Sequence, residues 1–115
     1  MTRILIVGGG GREHAIGWKL RHNDALSDLF FAPGNGGTST IGTNLPVKAS
    51  DVPGIVRWAT DLRIELVFVG PEEPLALGLA DELERVGIRC FGPSRAAARI
   101  EASKRWAKDL MDRAG

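Results

Sequence analysis

The chain has 115 residues, of which 43% are hydrophobic and 25% charged, so it is long enough for one domain with a single apolar core. Fifteen basic and fourteen acidic residues leave a net charge of +1, which argues against a nucleic-acid or anionic-membrane partner. The longest apolar runs have four residues, too few to cross a bilayer, and the single cysteine excludes a disulfide within the chain. We therefore expect a soluble protein of a reducing compartment, the cytoplasm.

Short apolar runs alternate with helical periodicities, an order typical of βαβ units and a parallel sheet. The predicted strands are residues 3–7, 29–32, 45–48, 64–69 and 88–91. The predicted helices are residues 12–21, a helix capped by Asp51, residues 74–86 and a last helix from about Ser94. Gly17 departs from the first helical pattern at a cost of about 1 kcal/mol relative to alanine. The fold class predicted is α/β, an open, doubly wound parallel sheet of about five strands, Rossmann-like, in a single domain over residues 1–115.

The segment between the first strand and the first helix carries the strongest functional signal. Residues 4–14 read Ile-Leu-Ile-Val-Gly-Gly-Gly-Gly-Arg-Glu-His, a buried strand followed by four glycines and a helix start. Backbone N–H groups and the positive end of the helix dipole meet at such a turn, which predicts an anion site, above all for phosphate. Arg12 can add a forked cationic contact.

Three predicted strands end in loops of unusual chemistry: residues 8–13, residues 32–37 (Ala-Pro-Gly-Asn-Gly-Gly) and residues 70–74 (Gly-Pro-Glu-Glu-Pro). In a parallel sheet these loops share one edge and can face one ligand. Asn35 offers a donor and an acceptor, and Glu72 can accept hydrogen bonds from vicinal hydroxyls. Together with the glycine turn they predict a sugar-phosphate pocket. Structural roles remain open for each: packing for the glycines, the helix dipole for Glu72 and a left-handed turn for Asn35.

Other chemistries find little support. The dinucleotide fingerprint is broken, because Gly8 and Gly10 lead to Glu13 where glycine or alanine is required. No P-loop lysine and no nucleophile–base arrangement stands out. His14 and His22 lack metal-ligand spacing, and Cys90 in an apolar run is interpreted as a small buried hydrophobe. We predict no catalytic residue and no metal ligand in this chain.

Four motifs, in order and at family spacing, resemble the N-terminal domain of the phosphoribosylamine–glycine ligase family. They are Gly-Gly-Arg-Glu-His-Ala (residues 10–15), Ala-Pro-Gly-Asn (32–35), Val-Gly-Pro-Glu with Pro-Leu (69–75), and Phe-Gly-Pro with Glu-x-Ser-Lys (91–104). Two departures are small: Gly9 stands where the family usually has serine or asparagine, and Trp106 replaces phenylalanine. The resemblance implies a pre-ATP-grasp domain that packs on ATP-grasp and C-terminal domains absent from this chain.

The resemblance also implies a reaction. Such a ligase joins glycine to 5-phosphoribosylamine in purine biosynthesis, using ATP with Mg²⁺ (or Mn²⁺) and releasing glycinamide ribonucleotide, ADP and phosphate. ATP and metal would bind outside this segment, which would supply the phosphoribosylamine pocket and be inactive alone. The substrate-binding residues it implies are Gly9, Gly10, Gly11, Arg12, Glu13, Gly34, Asn35, Gly70, Pro71, Glu72 and Pro74.

Two other functions stay open at this point. The chain could be a nucleotide-binding Rossmann module of an oxidoreductase, or a stand-alone sugar-phosphate-binding domain. The leading domain of a related carboxylase is a weaker alternative, since Arg-Glu-His-Ala argues against it. The chain stops directly after a predicted helix, which we interpret as a domain boundary.

Overall fold

A computed structural model describes residues 2–21 and 26–92 of the chain. Within these residues, five parallel strands form one sheet in the order β3-β2-β1-β4-β5. The strands are β1 Thr2–Gly8, β2 Leu26–Pro33, β3 Thr43–Asn44, β4 Leu66–Val69 and β5 Arg89–Phe91. The helices are α1 Gly11–Arg21, α2 Val52–Asp61, α3 Glu73–Ala76 and α4 Leu79–Arg85. The predicted α/β class and parallel sheet are confirmed.

Helices cover both faces of the sheet, as a doubly wound fold requires. Alternate side chains of a strand point to opposite faces, so β1 contributes to two apolar layers. One layer contains Leu5 and Val7 and packs on α2 and α4, and the other contains Ile4 and Ile6 and packs on α1. All four residues are fully buried, which explains why the central strand reads as an unbroken apolar run. No helix in the described ranges is long and apolar enough to cross a membrane.

The glycine inside α1 has a packing reason. A Cβ atom at Gly17 would overlap the ring of Phe31, which β2 presents to α1, with Cε1 only 2.8 Å away. Phe31 is fully buried. Glycine at this position lowers the helix propensity of α1, but it allows the helix to lie close to the sheet.

The third strand differs from the prediction of residues 45–48. Strand pairing is confined to Thr43–Asn44, because Pro46 has no N–H and the Val47 N–H turns back to the Leu45 carbonyl at 2.8 Å. Leu45 and Val47 are nevertheless buried in the core. The alternating apolar residues that predicted a strand are therefore buried in the core but do not pair as a strand. A single 3₁₀ turn, Thr38–Thr40, precedes this strand within the predicted loop of residues 33–44.

The predicted helix over residues 74–86 is also wrong as one helix. Gly78 has a φ of +92°, a left-handed conformation, and it separates α3 from α4. Leu79 and Leu83 are fully buried as their spacing predicts, but Val86 is 47% exposed. Asp51 caps α2 as predicted, accepting a hydrogen bond from the Gly54 N–H at 3.1 Å. The helix predicted from about Ser94 lies outside the described residues.

Candidate functional site

The three unusual loops meet at one edge of the sheet. They follow β1, β2 and β4, which are neighbours in the sheet, and parallel pairing brings their carboxyl ends together. The Gly34 N–H donates to the Gly8 carbonyl, and the Gly70 N–H donates to the Val7 carbonyl, both at 3.0 Å. The predicted convergence is confirmed. It lies where the chain passes from the β1-β2-β3 side to the β4-β5 side, the position at which open α/β sheets bind ligands.

The glycine turn exposes the start of α1. Gly9, Gly10, Gly11 and Arg12 are all exposed. The N–H groups of Gly11 and Arg12 lie in the first turn of α1, where no carbonyl of the helix can accept them. With the positive end of the helix dipole, they form donors for an anion.

Glu13 lies beneath this turn. It is only 8% exposed, and its Oε1 accepts a hydrogen bond from the Gly10 N–H at 3.3 Å, the acidic half of a capping box. The Gly10 N–H is therefore engaged from within the protein. The donors that the turn presents outward are those of Gly11 and Arg12.

Asn35 ties the β1 and β2 loops together. Its Nδ2 donates to the Gly9 carbonyl at 2.9 Å, and its Oδ1 accepts the Gly37 and Thr38 N–H groups at 2.7 and 2.9 Å. Asn35 itself does not have a positive φ, so the left-handed-turn alternative is wrong; Gly34 takes that conformation, with a φ of +73°. One N–H of the Asn35 amide remains for a ligand.

A buried polar cluster supports this loop, and sequence reasoning missed it. Thr38 is fully buried, its Oγ1 accepts the Asn35 N–H at 2.7 Å, and its hydroxyl lies 2.7 Å from Asn44 Oδ1. The Asn44 Nδ2 donates to the Asn35 carbonyl at 2.7 Å. A Cβ at Gly34 would lie 2.6 Å from Thr38 Oγ1, so this glycine leaves room for the cluster. The signal available in the sequence was the presence of Thr38 and Asn44, two hydrogen-bonding side chains, in the predicted loop of residues 33–44.

Arg12 and Glu72 remain available to a ligand. Both side chains are exposed, and neither makes a hydrogen bond or ion pair with the residues that the structure describes. Glu72 stands just before α3 but forms no side-chain cap. Pro71 is half-buried and Pro74 is buried in the first turn of α3, so both shape the loop that presents Glu72.

The comparisons with known proteins identify the family of the chain. The family model described as "Phosphoribosylglycinamide synthetase, N domain" matches residues 2–101. The chain belongs to this family. It is 49% identical to a phosphoribosylamine–glycine ligase of Nostoc sp. and 45% identical to a trifunctional purine biosynthetic protein adenosine-3 of Gallus gallus, each over 98% of the chain. These matches span 27% and 12% of the two relatives, so the chain corresponds to a minor part of either.

Among solved structures, a phosphoribosylamine–glycine ligase of Thermotoga maritima matches with 32% identity and a TM-score of 0.48. The match covers 69% of this chain and 18% of that one.

Gly9 allows the β1 and β2 loops to lie close together. A Cβ at this position would lie 2.8 Å from the Gly34 carbonyl oxygen. A side chain at this position would require the β1 and β2 loops to move apart. The two loops are held close, with the Gly9 carbonyl accepting a hydrogen bond from Asn35.

Two further residues near the sheet edge have structural explanations. The His14 ring packs against Gly37, where a Cβ would lie 2.7 Å from His14 Cε1. Burial, and secondly the charge of Glu84, raise the pKa of the Cys90 thiol to about 12, which keeps it protonated near neutral pH.

Within residues 2–21 and 26–92, no group of three or more His, Cys, Asp or Glu side chains could hold a metal ion.

Proposed function

We propose that this chain supplies the phosphoribosylamine pocket of an ATP-dependent ligase that joins glycine to 5-phosphoribosylamine in purine biosynthesis. Membership of the synthetase family supports the reaction class, and the names of the ligase relatives support the substrate. The observation that carries the assignment is the meeting, at one sheet edge, of an exposed helix start with two charged side chains of opposite sign, Arg12 and Glu72, which have no ionic partner among the described residues.

The proposed division of roles follows from the donors and acceptors present. The phosphate binds the N–H groups of Gly11 and Arg12 and the guanidinium of Arg12. Glu72 accepts hydrogen bonds from ribose hydroxyls, and the remaining Asn35 N–H contacts the sugar. Gly9 and Gly34 let the β1 and β2 loops lie close together beside the ligand. Gly10 donates its N–H to Glu13, and Glu13 and Gly70 support the turn from beneath.

Glycine activation belongs to another part of the proposed enzyme. We propose that ATP and Mg²⁺ (or Mn²⁺) are held by segments that the longer relatives have beyond the length of this chain. Residues 1–115 then act as the N-terminal substrate domain and pack on those segments, in a cytoplasmic enzyme of small metabolites. There the glycine carboxylate takes the terminal phosphate of ATP, and ADP leaves. The amine of the phosphoribosylamine held in this pocket then attacks the acyl phosphate, loses a proton, forms the amide and releases phosphate.

The test is a pair of substitutions in the complete protein. Arg12→Ala and Glu72→Ala each remove a charge-assisted contact worth about 1.5–3 kcal/mol, so each should raise KM for phosphoribosylamine about 10–100-fold. KM for ATP should stay within about twofold of wild type, since ATP binds elsewhere. Lys19→Ala, on an exposed position of the same helix, and Glu73→Ala, next to Glu72, are the matched controls.

Unchanged KM for phosphoribosylamine in both variants would remove the assignment. Saturable micromolar binding of NAD(H) would instead favour an oxidoreductase module. Binding of ribose 5-phosphate without ligase activity in the complete protein would favour a stand-alone sugar-phosphate-binding domain.

A further inference from the structure

The carboxylate of Glu13 lies in a cradle made of backbone that carries no side chains. A Cβ at Gly70, at the end of β4, would lie 2.5 Å from Glu13 Cδ and 2.8 Å from Oε2. A Cβ at Gly8, at the end of β1, would overlap Oε1. The carboxylate thus occupies the space that side chains at both strand ends would need, which explains why it is only 8% exposed.

This position connects two of the three site loops. Through Oε1 the carboxylate holds the Gly10 N–H, the residue that precedes α1. Through its contact with Gly70 it lies against the first residue of the loop that presents Glu72. If Glu13 is displaced, its carboxylate and the Gly10 N–H lose their hydrogen bond to each other. Displacement of Glu13 therefore disturbs the glycine turn as well as the space against Gly70.

We propose that Glu13 is a positioning residue that sets the distance between the phosphate-binding turn and the Glu72 loop, and that Gly70 is a glycine to house its carboxylate. The inference rests on the proposed function for what is positioned. The cradle itself can be tested independently of any substrate.

Gly70 is the clean position for the test. Its backbone is not left-handed, unlike that of Gly8 with a φ of +133°, so Glu13 is the obstacle that an alanine side chain meets. Four variants of the complete protein are compared with wild type: Gly70→Ala, Glu13→Ala, the double variant and Glu13→Gln. The measurements are the thermal unfolding midpoint and KM for phosphoribosylamine and for ATP.

Gly70→Ala should lower the midpoint by several degrees and raise KM for phosphoribosylamine at least tenfold, with little change for ATP. In the Glu13→Ala background the same substitution should no longer lower the midpoint, because the obstacle is gone. KM for phosphoribosylamine should stay high in Glu13→Ala and in the double variant. Glu13→Gln keeps the shape and an acceptor for Gly10, so its KM should remain within about threefold of wild type.

If Gly70→Ala lowers the unfolding midpoint by the same amount in the wild-type and Glu13→Ala backgrounds, the inference that Glu13 occupies the cradle is overturned. Glu13→Ala with the wild-type KM, or Glu13→Gln with a KM as high as Glu13→Ala, would overturn the positioning role, the latter by showing direct contact through charge. If Glu13→Ala does not fold, Glu13→Ser takes its place. If the protein has no ligase activity, the proposed function fails, and the four midpoints still decide whether Glu13 occupies the cradle.

Discussion

Asn35 offers the sharpest test of how the site loops are held. Its side chain makes three hydrogen bonds, to Gly9 on the β1 loop and to Gly37 and Thr38 in its own loop. Each is worth about 0.5–1.5 kcal/mol net, and leaving a buried N–H unmet costs about 1–3 kcal/mol. Thr38 is fully buried, so its N–H falls in that class. Asn35→Ala should therefore lower the free energy of unfolding by about 2–4 kcal/mol, a large part of the stability of a small domain.

Asn35→Asp separates the two functions of the side chain. It keeps an acceptor for Gly37 and Thr38 but places an oxygen where Nδ2 donates to the Gly9 carbonyl. We expect a smaller loss, about 1–2 kcal/mol, because one hydrogen bond is replaced by a repulsive contact.

Urea unfolding of the complete protein and its variants measures both losses, provided that the transition of this domain is resolved. Ser39→Ala is the control, since its exposed hydroxyl donates to the Gly36 carbonyl in the same loop and its loss should cost no more than about 0.5 kcal/mol. If the free energy of unfolding of Asn35→Ala lies within about 0.5 kcal/mol of wild type, which is the range of a neutral surface change, this side chain does not tie the loops together.

Two positions away from the site, Gly17 and Cys90, give further predictions. Gly17→Ala should destabilise the fold by about 1–3 kcal/mol despite the better helix propensity of alanine, because the added methyl group meets the Phe31 ring; a stabilised variant in urea unfolding would contradict this packing. The Cys90 thiol should react slowly with a disulfide reagent at pH 8 in the folded protein and promptly in urea. From about pH 9 to about pH 12 the unfolded chain loses a thiol proton that the folded chain retains, so the free energy of unfolding should fall as pH rises. Cys90→Ala should reduce that fall, and an unchanged slope would argue against a raised pKa for this half-buried thiol.

Local sequence carries the framework of this domain. The apolar run of β1 predicts a central strand, the glycines after it predict an open turn at a helix start, and Asp51 predicts the start of α2. Each of these signals spans a few neighbouring residues. The convergence of the three loops then follows from parallel topology, because parallel strands end on the same side of a sheet.

Contacts between residues far apart in the chain required the tertiary structure. Nothing in the spacing of residues 10–15 tells that Glu13 turns inward against Gly70, or that Gly17 is small because Phe31 lies above it. The break at Gly78 likewise depends on how the chain must turn to keep Leu79 in the core, whereas the short third strand has a local cause in Pro46. Periodicity and turn chemistry therefore determined most of the elements and the edge of the sheet at which the three loops meet. The packing of side chains between elements, which no local pattern encodes, decided which residues of those loops are exposed and which hold the others in place.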